Sequence, residues 1–276
     1  MENKKNRFYN EKNARENVEM KITVLGSGSA FGLPMIFNTW RNVNPQNPKN
    51  ERSRASIFLE EDGKSILIDA SPELRMQINR NNIKNVDAVF ITHAHYDHIG
   101  GIPDLSRATQ ILNHHIDIYA NEGTMAGLKE NFGYLFKESA EVDPEAEDLI
   151  WRVIPNKGKF VVCGLEFETT VFPHHHLNSS AFRYKNFAYV TDWQALPNDL
   201  GDFLSGLDLL IIECNNGKVP ENNGHSDLGK IEEIKEKFQP KRIVLSHLSW
   251  RVDYDEISKI LPENCELSYD GMVIEL

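Results

Sequence analysis

From Met20 onward the chain alternates short apolar, β-branched runs with amphipathic segments. MKITVLGSGSA reads as a strand entering a glycine- and serine-rich turn, where Gly26 and Gly28 permit backbone conformations closed to other residues. ASIFLEE and KSILIDA predict a hairpin through Asp62-Gly63, and SPELRMQINRNNI a helix opened by Ser71-Pro72. VDAVFITHAH is a buried strand whose apolar run stops at histidines. HIDIYA then predicts a strand and TMAGLKENFGYLFKE a helix; KFVVCGLEFETTVF, SAFRYKNFAYVTD, LDLLIIEC and KRIVLSHL predict one strand each, with helices near 226–238 and 253–260. Strands interleaved with helices argue for an α/β or layered α+β domain rather than a bundle or an all-β sandwich. No repeat or linker divides residues 20–276, which predict one domain.

Three segments stand outside this pattern. Residues 1–19 are rich in Asn, Lys and Glu with hardly any large aliphatics, which predicts a mobile tail or a loosely docked helix. Met20 is accordingly a candidate translational start, an idea that the intact N-terminal peptide of the natural protein would overturn. Residues 38–54 form a long polar loop ending in Arg52 and Arg54, and the acidic stretch 138–150 predicts a solvated surface insertion.

Composition narrows the function classes. Hydrophobic residues make up 40% of 276, enough for a substantial core. A net charge of −11 repels phosphate backbones and headgroups, which excludes a nonspecific nucleic-acid coat and makes any nucleic-acid partner an unfavoured expectation. Without a long apolar span or a secretion signal the expected setting is cytoplasmic, with no membrane partner. Cys163, Cys214 and Cys265 are odd in number and widely spaced, which predicts buried small residues rather than disulfides or a thiolate zinc clasp.

The chemistry concentrates in His93-Ala-His95-Tyr-Asp97-His98, placed on the turn after a buried strand. Imidazoles and a carboxylate together suit Zn, Mn or Fe, and ligands two residues apart can serve one ion while the next pair serves a second. A binuclear site needs further ligands at strand ends, and His174, His175, His176, Asp192 and His247 all occupy such places. A lone histidine at a strand end is more often structural, and an aspartate there can be a helix cap; jointly these positions favour a site. Asp192 is the candidate bridge, because each carboxylate oxygen can serve one cation. His114-His115 reads as a solvated turn.

With those residues in place, the sequence resembles the metallo-β-lactamase fold superfamily, whose signature is the His-x-His-x-Asp-His run. LGSGSAFGLP, RSRAS, ILIDASPELR, ITHAHYDHIGGIPDL and LSHLSWRVDYDEI are similar to its phosphodiesterase branch, and within it to the cyclic-phosphate phosphodiesterases of the carbon–phosphorus lyase pathway. The resemblance runs from about 20 to 260 and implies a four-layer αβ/βα sandwich with two metals at one rim. By matching motif it assigns His93, His95 and one of His174–His176 to the first metal, Asp97, His98 and His247 to the second, and Asp192 between them. His175 is the expected choice, six residues before Ala181-Phe182. His225 falls where the branch places a substrate-facing histidine, so His225 and Asp97 form the expected catalytic group. Asp69 resembles an acid that holds a ligating histidine's other nitrogen. Relatives carry cysteines for a structural zinc where this chain has MIFNTWRNVNPQNP; no such third metal is expected, and Phe37 and Trp40 are left to order the loop or leave it mobile.

These residues and the resemblance together imply a hydrolase with two divalent cations, Zn or Mn. It would cleave a small phosphodiester, cyclic ones included, by attack of a metal-bridging hydroxide, with His225 protonating the leaving oxygen and Arg52 or Arg54 steadying a second phosphate. Thioesterases, lactamases, processing nucleases, pyrroloquinoline-quinone-biosynthesis proteins and a noncatalytic metal-binding scaffold are the alternatives on this fold. Oligomeric state is open, a homodimer included.

Overall fold

The computed structural model describes residues 20–136 and 148–276, so the expectations for the 1–19 tail and for most of the acidic 138–150 stretch lie outside the described residues. In chain order the elements are β1 (Met20–Gly26), β2 (Ser56–Glu61), β3 (Lys64–Ile68), α1 (Leu74–Arg80), β4 (Ala88–Phe90), α2 (Tyr96–Ile99), α3 (Ile102–Leu112), β5 (Ile116–Asn121), α4 (Glu122–Phe132) and β6 (Leu149–Ile154). After these come β7 (Gly158–Val162), β8 (Leu165–His174), β9 (Leu177–Tyr184), β10 (Phe187–Val190), β11 (Leu209–Glu213), α5 (Leu228–Phe238), β12 (Arg242–Ser246), α6 (Tyr254–Ser258), β13 (Cys265–Leu267) and β14 (Met272–Glu275).

Successive side chains of a strand point to opposite faces, and the buried runs sort into separate cores on that basis. Ile66, Ile68, Ala88, Phe90, Phe187, Tyr189, Leu209, Ile211 and Val244 meet in one cluster between two sheets. Their chain neighbours face outward. Leu67 and Val89 pack with Leu74, Ile102, Leu105 and Leu128 of α1, α3 and α4, whereas Ala188, Val190, Leu210, Ile212, Ile243 and Leu245 pack with Ile231, Ile234 and Ile257 of α5 and α6. The result is the four-layer αβ/βα sandwich, its sheets ordered β14-β1-β2-β3-β4-β5-β6 and β13-β12-β11-β10-β9-β8-β7 among the described residues.

Both sheets are mixed. β3 through β6 run parallel, as do β10 through β13; β8 is antiparallel to β9 and β9 to β10, so β8 points the same way as β10. The carboxyl ends of β3, β4, β8, β10, β11 and β12 are therefore where crevices form in open α/β sheets.

Several expectations change in detail. KFVVCGLEFETTVF is a hairpin, β7 and β8, turning at Cys163-Gly164 with φ of 53° and 86°, and SAFRYKNFAYVTD divides into β9 and β10 at Lys185-Asn186. Cys163, in that turn, is exposed rather than buried, while Cys214 is buried. Gly26 and Gly28 lack positive φ; they are needed for close approach instead, since a Cβ on Gly26 would overlap the Arg54 carbonyl and one on Gly28 would meet the Ser53 carbonyl at 2.9 Å. That contact lets Gly28 N–H donate to Ser53 O at 2.8 Å while Leu248 N–H donates to Ser27 O at 2.8 Å, tying three loops together beside His247. Among the described residues no helix is long and apolar enough to cross a membrane.

Candidate metal centre

Each site residue stands on or just after the carboxyl end of a strand. After β4 the chain enters the turn that carries His93 and His95 and the short α2 that carries Asp97 and His98. β8 ends on His174, β11 on Glu213, and β10 and β12 run out to Asp192 and His247. Asp69, Asp192 and His247 each adopt left-handed backbone (φ 64°, 52° and 53°), a conformation that polar Asp and His tolerate better than bulky residues.

The side chains converge from both sheets. His93 Nε2 lies 2.8 Å from His95 Nδ1, and these two with His174 form one group of ligand atoms. Asp97, His98 and His247 form a second, with His98 Nε2 3.1 Å and His247 Nε2 3.4 Å from Asp97 Oδ2. Asp192 stands between them. Its Oδ2 is 3.1 Å from His98 Nε2 and 3.4 Å from His247 Nε2, while its Oδ1 is 3.6 Å from both His174 Nε2 and His225 Nδ1.

Backbone and side-chain partners orient these rings. Asp69 Oδ2 lies 2.7 Å from His98 Nδ1, and the Asp69 carboxylate also accepts the Thr92 amide and hydroxyl. His174 Nδ1 reaches Gly224 O at 2.9 Å, and His247 Nδ1 lies 3.3 Å from Asn215 Nδ2. Ligand imidazoles are commonly fixed through their second nitrogen in this way.

His174, not the expected His175, occupies the place beside His93 and His95. Along the end of β8 burial alternates, with Phe172 and His174 inside. His175 has the opposite parity and begins the turn to β9 at φ 50°, exposed, near His174 and His225. His176 is exposed as well. His114 contacts Asn85 Oδ1 at 2.8 Å, away from this group.

Electrostatics fit a cation centre. Burial pushes His93 well below the usual imidazole range and His174 down to about 4, so both rings are neutral donors. Burial opposes ionisation of Asp97 and Asp192, yet the facing histidines carry both carboxyls well below their usual value. His98 is buried too, but Asp97, Asp69 and Asp192 raise it well above the ordinary value. The carboxylates of Asp69, Asp97 and Asp192 thus gather negative charge around this ring, where a cation would balance it. Nε2 of His98 is fully buried without a hydrogen-bond partner although two carboxylate oxygens lie 3.1 Å away. Buried polar atoms are rarely left so, and neutral imidazoles with ionised carboxylates are a donor set for divalent ions.

One residue escaped sequence reasoning. Glu213, wholly buried, lies 2.7 Å from His225 Nδ1 through Oε1 and accepts the Trp193 amide through Oε2 at 2.8 Å. Burial lowers the His225 pKa, but the Glu213 carboxylate outweighs it and raises the ring to about 9. The available signal was a carboxylate closing an apolar strand, as at Asp69. The arginines are engaged elsewhere. Arg52 is buried, donating to Ser249 O at 3.3 Å and Asn50 Oδ1 at 2.9 Å, which holds it within the fold, and Arg54, partly exposed, pairs with Glu73.

Fold and ligand-type side chains together define a protein of the metallo-β-lactamase architecture, a fold of metal-dependent hydrolases. The chain belongs to the Beta-lactamase superfamily domain family, which matches residues 64–248, more than half of its length. It is 28% identical over 256 residues to an octanoyltransferase of Porphyromonas gingivalis, across 92% of this chain and 51% of that protein, so the chain spans about half the length of that relative. It is 23% identical to ribonuclease Z of Clostridium tetani across 92% of this chain and 98% of that one. Among solved structures, a diphosphatase from the PhnP family superposes with a TM-score of 0.81 at 28% identity, covering 93% of this chain and 98% of the other.

Proposed function

We propose that the protein is a phosphodiesterase for small diesters that works with two divalent cations, Zn or Mn. The observation that carries this reading is the position of Asp192, whose two oxygens face different groups of ligand-type side chains. His93, His95 and His174 would hold one cation and Asp97, His98 and His247 the other, with Asp192 shared. Bound there, the pair would supply Lewis acidity to the phosphoryl oxygens and bring the pKa of water towards neutrality.

The chain's own residues do the rest. Asp69, Gly224 and Asn215 fix the rings of His98, His174 and His247. His225 is held by Glu213 with its proton retained, and it delivers that proton to the oxygen that departs from phosphorus. Likeness to a diphosphatase supports a small phosphate ester as substrate. Likeness to ribonuclease Z favours a second reading, cleavage of RNA, against which the charge of −11 weighs. The octanoyltransferase likeness covers half of that protein and brings no acyl-transfer reading.

The test is hydrolysis of bis(p-nitrophenyl) phosphate by protein stripped of metal and reloaded with Mn or Zn, with Asp192→Ala as the blank. Metal-dependent turnover absent from the blank is expected. No turnover with two metals bound would overturn the reading, and faster cleavage of RNA than of small diesters would favour the second.

A further inference from the structure

The segment 214–227 between β11 and α5 carries both Gly224, whose carbonyl meets His174, and His225. After Cys214, which is buried in the core, it is mostly polar and its Val219 is exposed, so hydrogen bonds largely set its shape. Inside it, Asn216 and Asn223 exchange amide hydrogen bonds at 2.8 and 3.0 Å, and Asn223 Nδ2 donates to Glu221 Oε2 at 3.2 Å. Outside it, one residue grips its tip. Arg251 Nη2 donates to both oxygens of Glu221 at 2.9 Å.

Arg251 is itself fixed. Its guanidinium lies over the Trp250 ring at 4.3 Å, and its amide donates to Ser249 Oγ, whose hydroxyl donates to Asn215 O. Asn215 in turn sits against His247. The turn after β12 therefore holds the segment at its start, through Asn215, and at its tip, through Glu221.

We propose that the Arg251–Glu221 pair is a clasp that positions His225, and that Arg251 and Glu221 are positioning residues for leaving-group protonation. This rests on the phosphodiesterase reading. In that step the bond from phosphorus to the leaving oxygen breaks, and the proton from the His225 nitrogen not engaged by Glu213 moves to that oxygen. The attacking water forms the new phosphorus–oxygen bond and releases the proton that restores the imidazole. A misplaced His225 harms poor leaving groups most, because a good one departs with little help from a proton donor.

Arg251→Gln, Glu221→Gln and the double variant, each metal-loaded, are compared on diphenyl phosphate, the poorer leaving group, and bis(p-nitrophenyl) phosphate. Each single change should lower kcat on diphenyl phosphate about tenfold, part of the acid's contribution, and clearly less on the nitrophenyl ester. The double variant should lose no more than either single one, since both remove one pair. Imidazole nitrogen–proton NMR should show the His225 signal displaced in all three, with bound metal unchanged. Equal losses on both esters, no loss, or an unmoved His225 signal would overturn the clasp. If the unaltered chain cleaves neither ester, the phosphodiesterase reading fails instead, and the His225 signal still decides whether the clasp sets the ring.

Discussion

At the scale of residues, the site repeats one local device: a strand ends, and a polar residue in left-handed conformation turns its side chain into the rim. Asp69, Asp192 and His247 all do so. Their identities are readable because an acid or histidine closing an apolar run stands out; Glu213 closes one too, but in sequence it merges with its strand. The choice among His174–His176 is not readable by counting from Ala181, since it depends on which parity of β8 faces inward and where the hairpin turns. His174→Ala should therefore cost bound metal, measured by elemental analysis, whereas His175→Ala should retain it. A pH consequence belongs here as well. As the proposed acid, His225 would work only while protonated, so activity should fall as pH rises through about 9. In Glu213→Gln the raising carboxylate is gone and burial dominates, so the alkaline limb of the kcat profile should move down by on the order of two units.

Elements show where alternation and turn chemistry compete. β3, β4 and β11 are legible as buried runs bounded by turns, whereas α3 follows the histidine run and its glycines so closely that it is masked by them, and β6, β13 and β14 are edge or short strands with weak signals. The Cys163-Gly164 turn is hidden because neither neighbour interrupts the apolar pattern. The 38–54 loop depends on polar contacts that no local pattern announces. Phe37 is 92% exposed and orders nothing; Asp253 instead accepts the Asn44 amide at 2.8 Å and Asn50 Nδ2 at 3.0 Å, and Arg52 links the loop to Ser249. Burial lowers the Arg52 pKa to about 10, which leaves it charged at neutral pH. Arg52→Ala removes the donors to Lys49 O, Ser249 O and Asn50 Oδ1 and leaves the space of a large buried side chain unfilled, which should cost about 3 kcal/mol in urea unfolding. Arg52→Lys should recover part of that and no more, because an ammonium lacks the planar fork.

For the whole molecule, the layered class follows from strands interleaved with helices, but the pairing of the two sheets does not, since no local signal says which strands face each other. The site draws His93, His95, Asp97 and His98 from the first sheet's side and His174, Asp192 and His247 from the second. Cations held there, as proposed, would stabilise the docked sheets. Chelation should lower the midpoint of thermal unfolding followed by circular dichroism, and ions restored at about 100 times Kd should return about 2.7 kcal/mol.

The course of the chain between the sheets has one more consequence. Residues 20–154 build the first sheet and 158–267 the second, and β14 then returns to lie beside β1, with Leu276 N–H donating to Met20 O at 2.9 Å. A permuted chain reading 158–276 and then 20–154 would encode each sheet as one uninterrupted stretch. The fold can thus be viewed as two successive half-molecules cut from a circle, with the observed order as one of its openings.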